Sequence, residues 1–203
     1  MPLGMVLYEA GETLEHMYFP TTAIVSMLYV MADGESAEVA VIGNEGFVGI
    51  SILMGGGSMP SRALVQNAGF GYRIPAAFAK QQFEGCLDVM HLLLSFTQAL
   101  MAQVTQTGAC NKHHSLDQQL CRWLLLTLDR YQGMELNMTK QMIANMLGVS
   151  GEVMRSGAER LQSEGLLRYE DGRITVLDRP GVQRHACECY AVVKREYDRL
   201  LAQ

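Results

Sequence analysis

The sequence predicts an α+β chain: a small strand-rich barrel, one long helix and a winged helix-turn-helix. Three observations carry this expectation. Short apolar stretches with turn residues between them recur from Val6 to Ile74. A stretch almost free of Gly and Pro follows. Two short amphipathic helices joined at Gly148 then precede a hairpin pattern.

The expected strands are Val6–Tyr8, Met17–Phe19, Ala23–Met31, Ala37–Ile42, Phe47–Val48, Arg62–Gln66 and Gly71–Ile74. Asp33-Gly34 is a strong hairpin turn, and Gly43-Asn44 and Gly55-Gly56-Gly57-Ser58 are further turns. Many short strands at close spacing argue for a sandwich or barrel.

From about Gln82 to Cys110 the pattern becomes helical, interrupted only by Gly85 and Gly108. Leu87, Met90, Leu94, Thr97, Met101 and Val104 alternate in steps of three and four, which is a heptad seam. Such a helix spans roughly 40 Å. Leu93, Phe96 and Leu100 form a second apolar face, so one face should pack on the barrel and the other on a partner helix in a homodimer. The simpler alternative buries the whole helix in one chain. The polar break at 111–116 is the expected hinge, Ser115 and Gln118 have capping-box spacing, and a third helix should run Ser115–Tyr131. The division expected is therefore 1–81, 82–112 and 113–203, with a last helix near Gly181–Leu201.

Met138–Leu167 carries the functional reading. Thr139 can cap a first helix whose inner face is Ile143, Ala144 and Leu147. Gly148 supplies a left-handed backbone angle at the turn, and Ser150 caps a second helix with Met154, Ala158 and Leu161 inward. Gly151, Glu152, Arg155, Ser156 and Glu159 are left facing outward, as on a helix that enters the major groove. Leu166–Tyr169, a turn at Glu170-Asp171-Gly172, and Arg173–Leu177 complete a wing. A plain helical hairpin would not need that wing.

Charge neither excludes DNA nor favours it. The 203 residues carry a net charge of −5. Residues 1–131 hold 6 Lys and Arg against 11 Asp and Glu, and residues 132–203 hold 10 of each. Phosphate attraction should be modest, and binding would need a dimer and a few placed cations such as Lys140, Arg155, Arg160 and Arg173. No unbroken apolar run reaches the roughly 18 residues of a membrane span. No leader pattern opens the chain, and its five cysteines are scattered, so a cytoplasmic protein without membrane association is expected.

Barrel, dimer helix and winged helix in this order resemble the Crp/Fnr family of bacterial transcription regulators. The resemblance is sharpest at Met138–Gly148 with Val149-Ser150-Gly151-Glu152 behind it, and Phe47-Val48-Gly49 and Arg62-Ala63 look like the family's effector cassette. It implies a cyclic-nucleotide-binding-like β-roll, a homodimer, double-stranded DNA as partner and RNA polymerase as a further one. Family members usually carry a short helix and strand edge before the point where Met1-Pro2-Leu3-Gly4 stands. Thr139, Lys140 and Gln141 fall at the start of the first motif helix, where the DNA backbone is touched. Ser150 matches a phosphate-contacting position, and Glu152 a base-reading glutamate. Gly151 and Ser156 stand where arginines are usual, which shifts the reading onto Glu152 and Arg155.

The cassette departs further. Ile50 replaces the ribose-binding glutamate, and Pro60 or Ser61 the phosphate-binding arginine, with Arg62 one or two residues late. The effector is expected to be something other than a cyclic nucleotide, or absent. The Gly55–Ser58 loop lacks the Lys-Ser/Thr of a P-loop.

No cofactor or metal is expected. Cys86, Cys110, Cys121, Cys187 and Cys189 are dispersed, and Cys187 and Cys189 on one helix would point apart. Cys110 with His113 and His114 reads better as a solvated linker than as a metal clip, and His16 and His91 stand alone. With neither a clustered His/Glu set nor a nucleophile–base pair, an enzyme is disfavoured. The competing function is a dimeric interaction protein with a weakened DNA reader.

Overall fold

Turn residues cut the first part of the chain into six short strands. The computed structural model describes residues 1–131 and 133–201. Strands β1 (Val6–Tyr8), β2 (His16–Pro20), β3 (Ile24–Val30), β4 (Ser36–Ile42), β5 (Arg62–Asn67) and β6 (Gly71–Pro75) form two antiparallel sheets, ordered β1-β5-β3-β4 and β2-β6. Met17, Ile24, Val25, Ile42, Phe47 and Val65 are buried in this roll. The Asp33-Gly34 turn closes the β3–β4 hairpin, with Gly34 at φ 89°. Phe47–Val48 is not a strand. It makes a single bridge to Tyr18, because Gly49 at φ 111° swings the chain at once into a short 3-10 turn, Ile50–Ile52.

The predicted long helix is divided. Helix α1 (Ala76–Gly85) ends at the glycine, Cys86 is extended at φ −143°, and α2 (Leu87–His113) runs three residues beyond Cys110. Leu93, Phe96, Ala99, Leu100, Gln103, Thr107 and Cys110 form its buried face. The six seam positions stay solvent-facing: Leu87, Leu94, Met101 and Val104 are exposed, and Met90 and Thr97 are half-buried. By length and composition alone α2 could cross a membrane, because its apolar residues outweigh the polar ones that interrupt them. Its buried face is occupied by β4 and by the last helix of the same chain.

Helix α3 (Leu116–Leu128) opens on the expected capping box, in which the Gln118 amide donates to Ser115 Oγ and the Gln118 side chain accepts from the Ser115 amide. A strand not foreseen in the sequence, β7 (Glu135–Asn137), leads into α4 (Lys140–Leu147) and α5 (Gly151–Ser163). The wing strands β8 (Leu167–Glu170) and β9 (Arg173–Val176) pair antiparallel, and β9 also pairs with β7. Three residues between turns are too few to show an alternation, which is why β7 was illegible.

The predicted last helix is also two. Asp178 caps α6 (Arg179–His185) by accepting from Gly181 N–H at 2.9 Å. The chain breaks at Ala186-Cys187, and α7 (Glu188–Leu201) packs back along α2. One apolar core runs from the roll through α2 and α3 into the winged helix.

Gly46 marks the tightest crossing of roll and α2. A Cβ there would fall 1.9 Å from the Phe96 ring, which stacks with Phe47 at 4.9 Å between centroids. Gly46→Ala is expected to cost about 1–3 kcal/mol through overpacking, read as a lower urea midpoint.

Candidate nucleic-acid interface and effector cassette

The helix-turn-helix is built as its residue chemistry dictates. Thr139 Oγ1 accepts from Met142 N–H at 3.1 Å and caps α4. Gly148 sits at φ 65°, ψ 38°, and its N–H closes the helix onto Ala144 and Asn145. Ser150 Oγ accepts from Val153 N–H at 3.3 Å and caps α5. Ile143, Ala144 and Leu147 are buried, as are Met154, Ala158 and Leu161. Gly157, also inward, lets α5 approach α3, since a Cβ would meet Leu116 at 2.9 Å.

Glu152, Arg155, Ser156 and Arg160 are exposed along the outer face of α5, with Gly151 half-buried at its start. A Cβ on Gly151 would lie 2.9 Å from Gln141 Oε1, so a larger residue must displace that side chain; Gln141 Nε2 donates to Asn145 at 2.8 Å. Lys140 stands over the Tyr169 ring at 4.9 Å, and Tyr169 Oη donates to the Met138 carbonyl at 3.0 Å. Two of the four candidate cations are held in ion pairs within the chain. Arg160 grips Asp117 through two bonds of 2.8 and 2.7 Å and donates to Ser156 at 2.8 Å. Arg173 pairs with Glu135 at 3.3 Å. Among the described residues no ion pair involves Arg155.

In the cassette, Ile50, Ser51 and Ser61 are buried. Arg62 does not turn toward them but pairs with Glu9 at 2.6 Å on the part-exposed side of the sheet. The Ile50 side chain offers no acceptor for a sugar hydroxyl, and the buried Ser61 hydroxyl has no hydrogen-bond partner among the described residues.

The sequence reading did not single out the polar line that joins the roll to the DNA-reading part. Glu38 stands opposite Leu28, beyond a bulge that shifts the β3–β4 register, on the strand face of Ser26 and Val41, and is enclosed. Ser26 Oγ lies 2.5 Å from Glu38 Oε2 and 2.7 Å from Gln66 Oε1. With the Gln66 amide turned so that Nε2 donates to Thr127 Oγ1 at 3.3 Å, both neighbours of the hydroxyl are carboxyl or carbonyl oxygens. One hydroxyl proton cannot serve both, so the arrangement is complete when Glu38 is protonated and donates to Ser26. Burial pushes the Glu38 carboxyl from 4.5 up to about 7, against the opposing pull of Ser26 and Arg122. The bulge skips Val39 and breaks the two-residue alternation of β4, so no spacing in the sequence marked this glutamate.

Roll, long helix and winged helix-turn-helix together make the fold of a transcription regulator with a helix-turn-helix DNA-binding domain. A cyclic nucleotide-binding domain profile matches residues 1–85, and a Crp-like helix-turn-helix domain profile matches residues 118–184. In this order the two domains are those of the Crp/Fnr regulators, a family the chain resembles over these two stretches. A CRP-family transcriptional regulator of Thermus thermophilus has the same fold, with a TM-score of 0.77 and 17% identity over 92% of this chain and 95% of that one. FixK2 of Bradyrhizobium japonicum aligns with a TM-score of 0.73 and 16% identity over 91% and 94%. The c-di-GMP-responsive regulator CLP of Xanthomonas campestris gives 0.66 and 15% over 88% and 92%. At these identities the solved structures speak to fold alone. Comparison with curated protein sequences gives no significant match.

The enclosed Glu38 makes stability depend on pH. Its folded pKa lies above its unfolded one, so the native chain holds the proton more tightly. Stability from this group is complete below about pH 4.5 and is lost as pH rises through about 7, a difference of about 3 kcal/mol. Glu38→Gln should therefore melt above the native chain at pH 8 and close to it at pH 4.5.

Proposed function

We propose that the chain acts as a homodimer that reads a two-fold DNA site, inserting α5 of each copy into successive major grooves. The observation that carries this reading is a division of labour on two helices. The capped α5 presents Glu152 and Arg155 to solvent, and α2 leaves the seam of Leu87, Met90, Leu94, Thr97, Met101 and Val104 uncovered while its other face is buried. An apolar seam at heptad spacing is the geometry that another copy of the same helix fits.

Thr139, Lys140, Gln141 and Ser150 flank the groove as backbone contacts. Arg155 carries base reading together with Glu152, whose carboxylate accepts from cytosine N4. Gly151 and Ser156 leave room without adding a cation. Arg160 and Arg173 reach phosphate only by giving up Asp117 and Glu135, so their contribution to affinity is small. The functional units are 1–81, 82–112 and 113–203, the location is cytoplasmic, and RNA polymerase is a partner of the bound dimer. The effector is something other than a cyclic nucleotide, or absent: a buried Ile50 and an Arg62 tied to Glu9 support that reading.

Footprinting at defined salt should reveal two protected half-sites about 34 Å apart. Equal weak binding to any DNA would instead favour an interaction protein with a decayed reader. Arg155→Ala should lower specific affinity about 10–100-fold with little change in nonspecific binding. A double Leu94→Glu, Met101→Glu variant should sediment as a monomer and lose the two-fold footprint. Cyclic AMP and cyclic GMP should leave the melting temperature unchanged; a rise would show that the cassette binds them.

A further inference from the structure

Four residues far apart in sequence meet where α2 ends. Cys110 lies in the last turn of α2, His114 is its C-cap, and Cys187 and Cys189 straddle the start of α7. On one continuous helix the last two would point apart. The break at Ala186-Cys187 takes Cys187 out of the helix, and the two thiols converge. The three sulfurs and one ring nitrogen all lie within 4.8 Å of one another. Cys110 Sγ is 3.5 Å from Cys187 Sγ, and Cys189 Sγ is 3.5 Å from His114 Nδ1. All three cysteines are buried and His114 is half-buried. His113, the neighbour that the sequence offered equally, is exposed and outside the group.

We propose that Cys110, His114, Cys187 and Cys189 bind one divalent transition-metal ion, zinc by the chemistry of the set, and that the ion staples the α2–α3 hinge to the C-terminal helix. Three sulfurs and one imidazole make a closed Cys3His set with no open position, the composition of a structural rather than a catalytic zinc site. Zinc bonds of about 2.3 Å to sulfur and 2.0 Å to nitrogen in a tetrahedron put ligand atoms about 3.5–3.8 Å apart. The Cys110–Cys187 and Cys189–His114 separations match that spacing closely, so the ion enters with small side-chain adjustments.

The surroundings are those of a metal site. His114 presents Nδ1 to the sulfurs, and its Nε2 lies 3.3 Å from Glu188 Oε1, a carboxylate that would fix the tautomer with Nδ1 free to bind. Gln106 Nε2 donates to Cys189 Sγ at 3.1 Å, and Gln119 Nε2 holds the His114 carbonyl at 2.9 Å. On binding, each thiol releases its proton to solvent and the imidazole enters neutral. The dication with three thiolates then carries a single negative charge. Arg122, buried and electrostatically coupled to Cys110, is the cation that offsets it. A Cys110–Cys187 disulfide would use two of the four groups and leave His114, Glu188 and Cys189 unexplained.

The experiment uses the full chain, made metal-free under anaerobic, reducing conditions and titrated with Co(II) and then Zn(II). One equivalent of Co(II) should give thiolate-to-cobalt charge-transfer bands and the strong visible bands of a tetrahedral site, and Zn(II) should bleach both. Elemental analysis of the reconstituted chain should find one zinc per chain, and chelation should lower the melting temperature. Cys187→Ser should abolish the charge-transfer bands, the exposed Cys86→Ser should leave them unchanged, and Glu188→Gln should weaken Zn(II) binding about tenfold or more. The titration of the native chain decides the matter even if Cys187→Ser does not fold. No stoichiometric metal after reconstitution overturns the proposal. So does iron with acid-labile sulfide, a spectrum that survives in Cys187→Ser, or a Cys110–Cys187 disulfide mapped in chain prepared without oxidant.

Discussion

Arg130 is the point at which every part of the chain meets. Its Nε pairs with Glu45 at 2.5 Å in the turn after β4, its Nη1 donates to the Leu126 carbonyl of α3 at 2.7 Å, and its Nη2 reaches Gln103 of α2 at 3.3 Å. The ring of Tyr197, from α7, lies 4.9 Å from its guanidinium carbon. Roll, long helix, DNA-reading part and C-terminal helix thus share one buried cation. Removing one partner of such a pair typically costs 3–5 kcal/mol, because the other charge is left enclosed and uncompensated. The planar fork of arginine satisfies three acceptors at fixed angles, so the group sets geometry as well as energy.

That geometry governs what α2 can do. Its inward face is taken up by Gln103, which also donates to the Val41 carbonyl at 3.0 Å, by Phe96 under Gly46, and by Cys110 beside α7. The outward seam is left over by construction, not by accident of composition. Two polar lines link the roll to the DNA-reading part. One runs through Arg130, and the other through Glu38, Ser26, Gln66 and Thr127. The helix-turn-helix also touches the roll directly, since a Cβ at Gly148 would sit 3.2 Å from Ala37.

The charge balance of the reading face follows the same economy. A near-neutral C-terminal part cannot rely on general attraction to phosphate. Internal pairing of Arg160 with Asp117 and Arg173 with Glu135 lowers nonspecific attraction further and leaves Arg155 as the exposed cation in the middle of α5. In the proposed dimer, specificity rests on few contacts and on the distance between two copies of the reader.

The sequence by itself determined the local elements whose signals are local. The Thr139, Gly148 and Ser150 caps, the Ser115–Gln118 box, the Asp33-Gly34 hairpin and the two faces of α2 were all legible, because each depends on residues within a turn or two. So was the family resemblance. Only the tertiary structure decided where the helices break, at Cys86 and at Ala186-Cys187, because packing against α2 overrides a continuous helical pattern. It alone brought Glu38 to Gln66 and Thr127, and Arg130 to Glu45, across separations that no spacing rule spans. The four residues at the end of α2 are the clearest case. Helical periodicity said that Cys187 and Cys189 diverge, and one extended residue between two helices made them converge on Cys110 and His114.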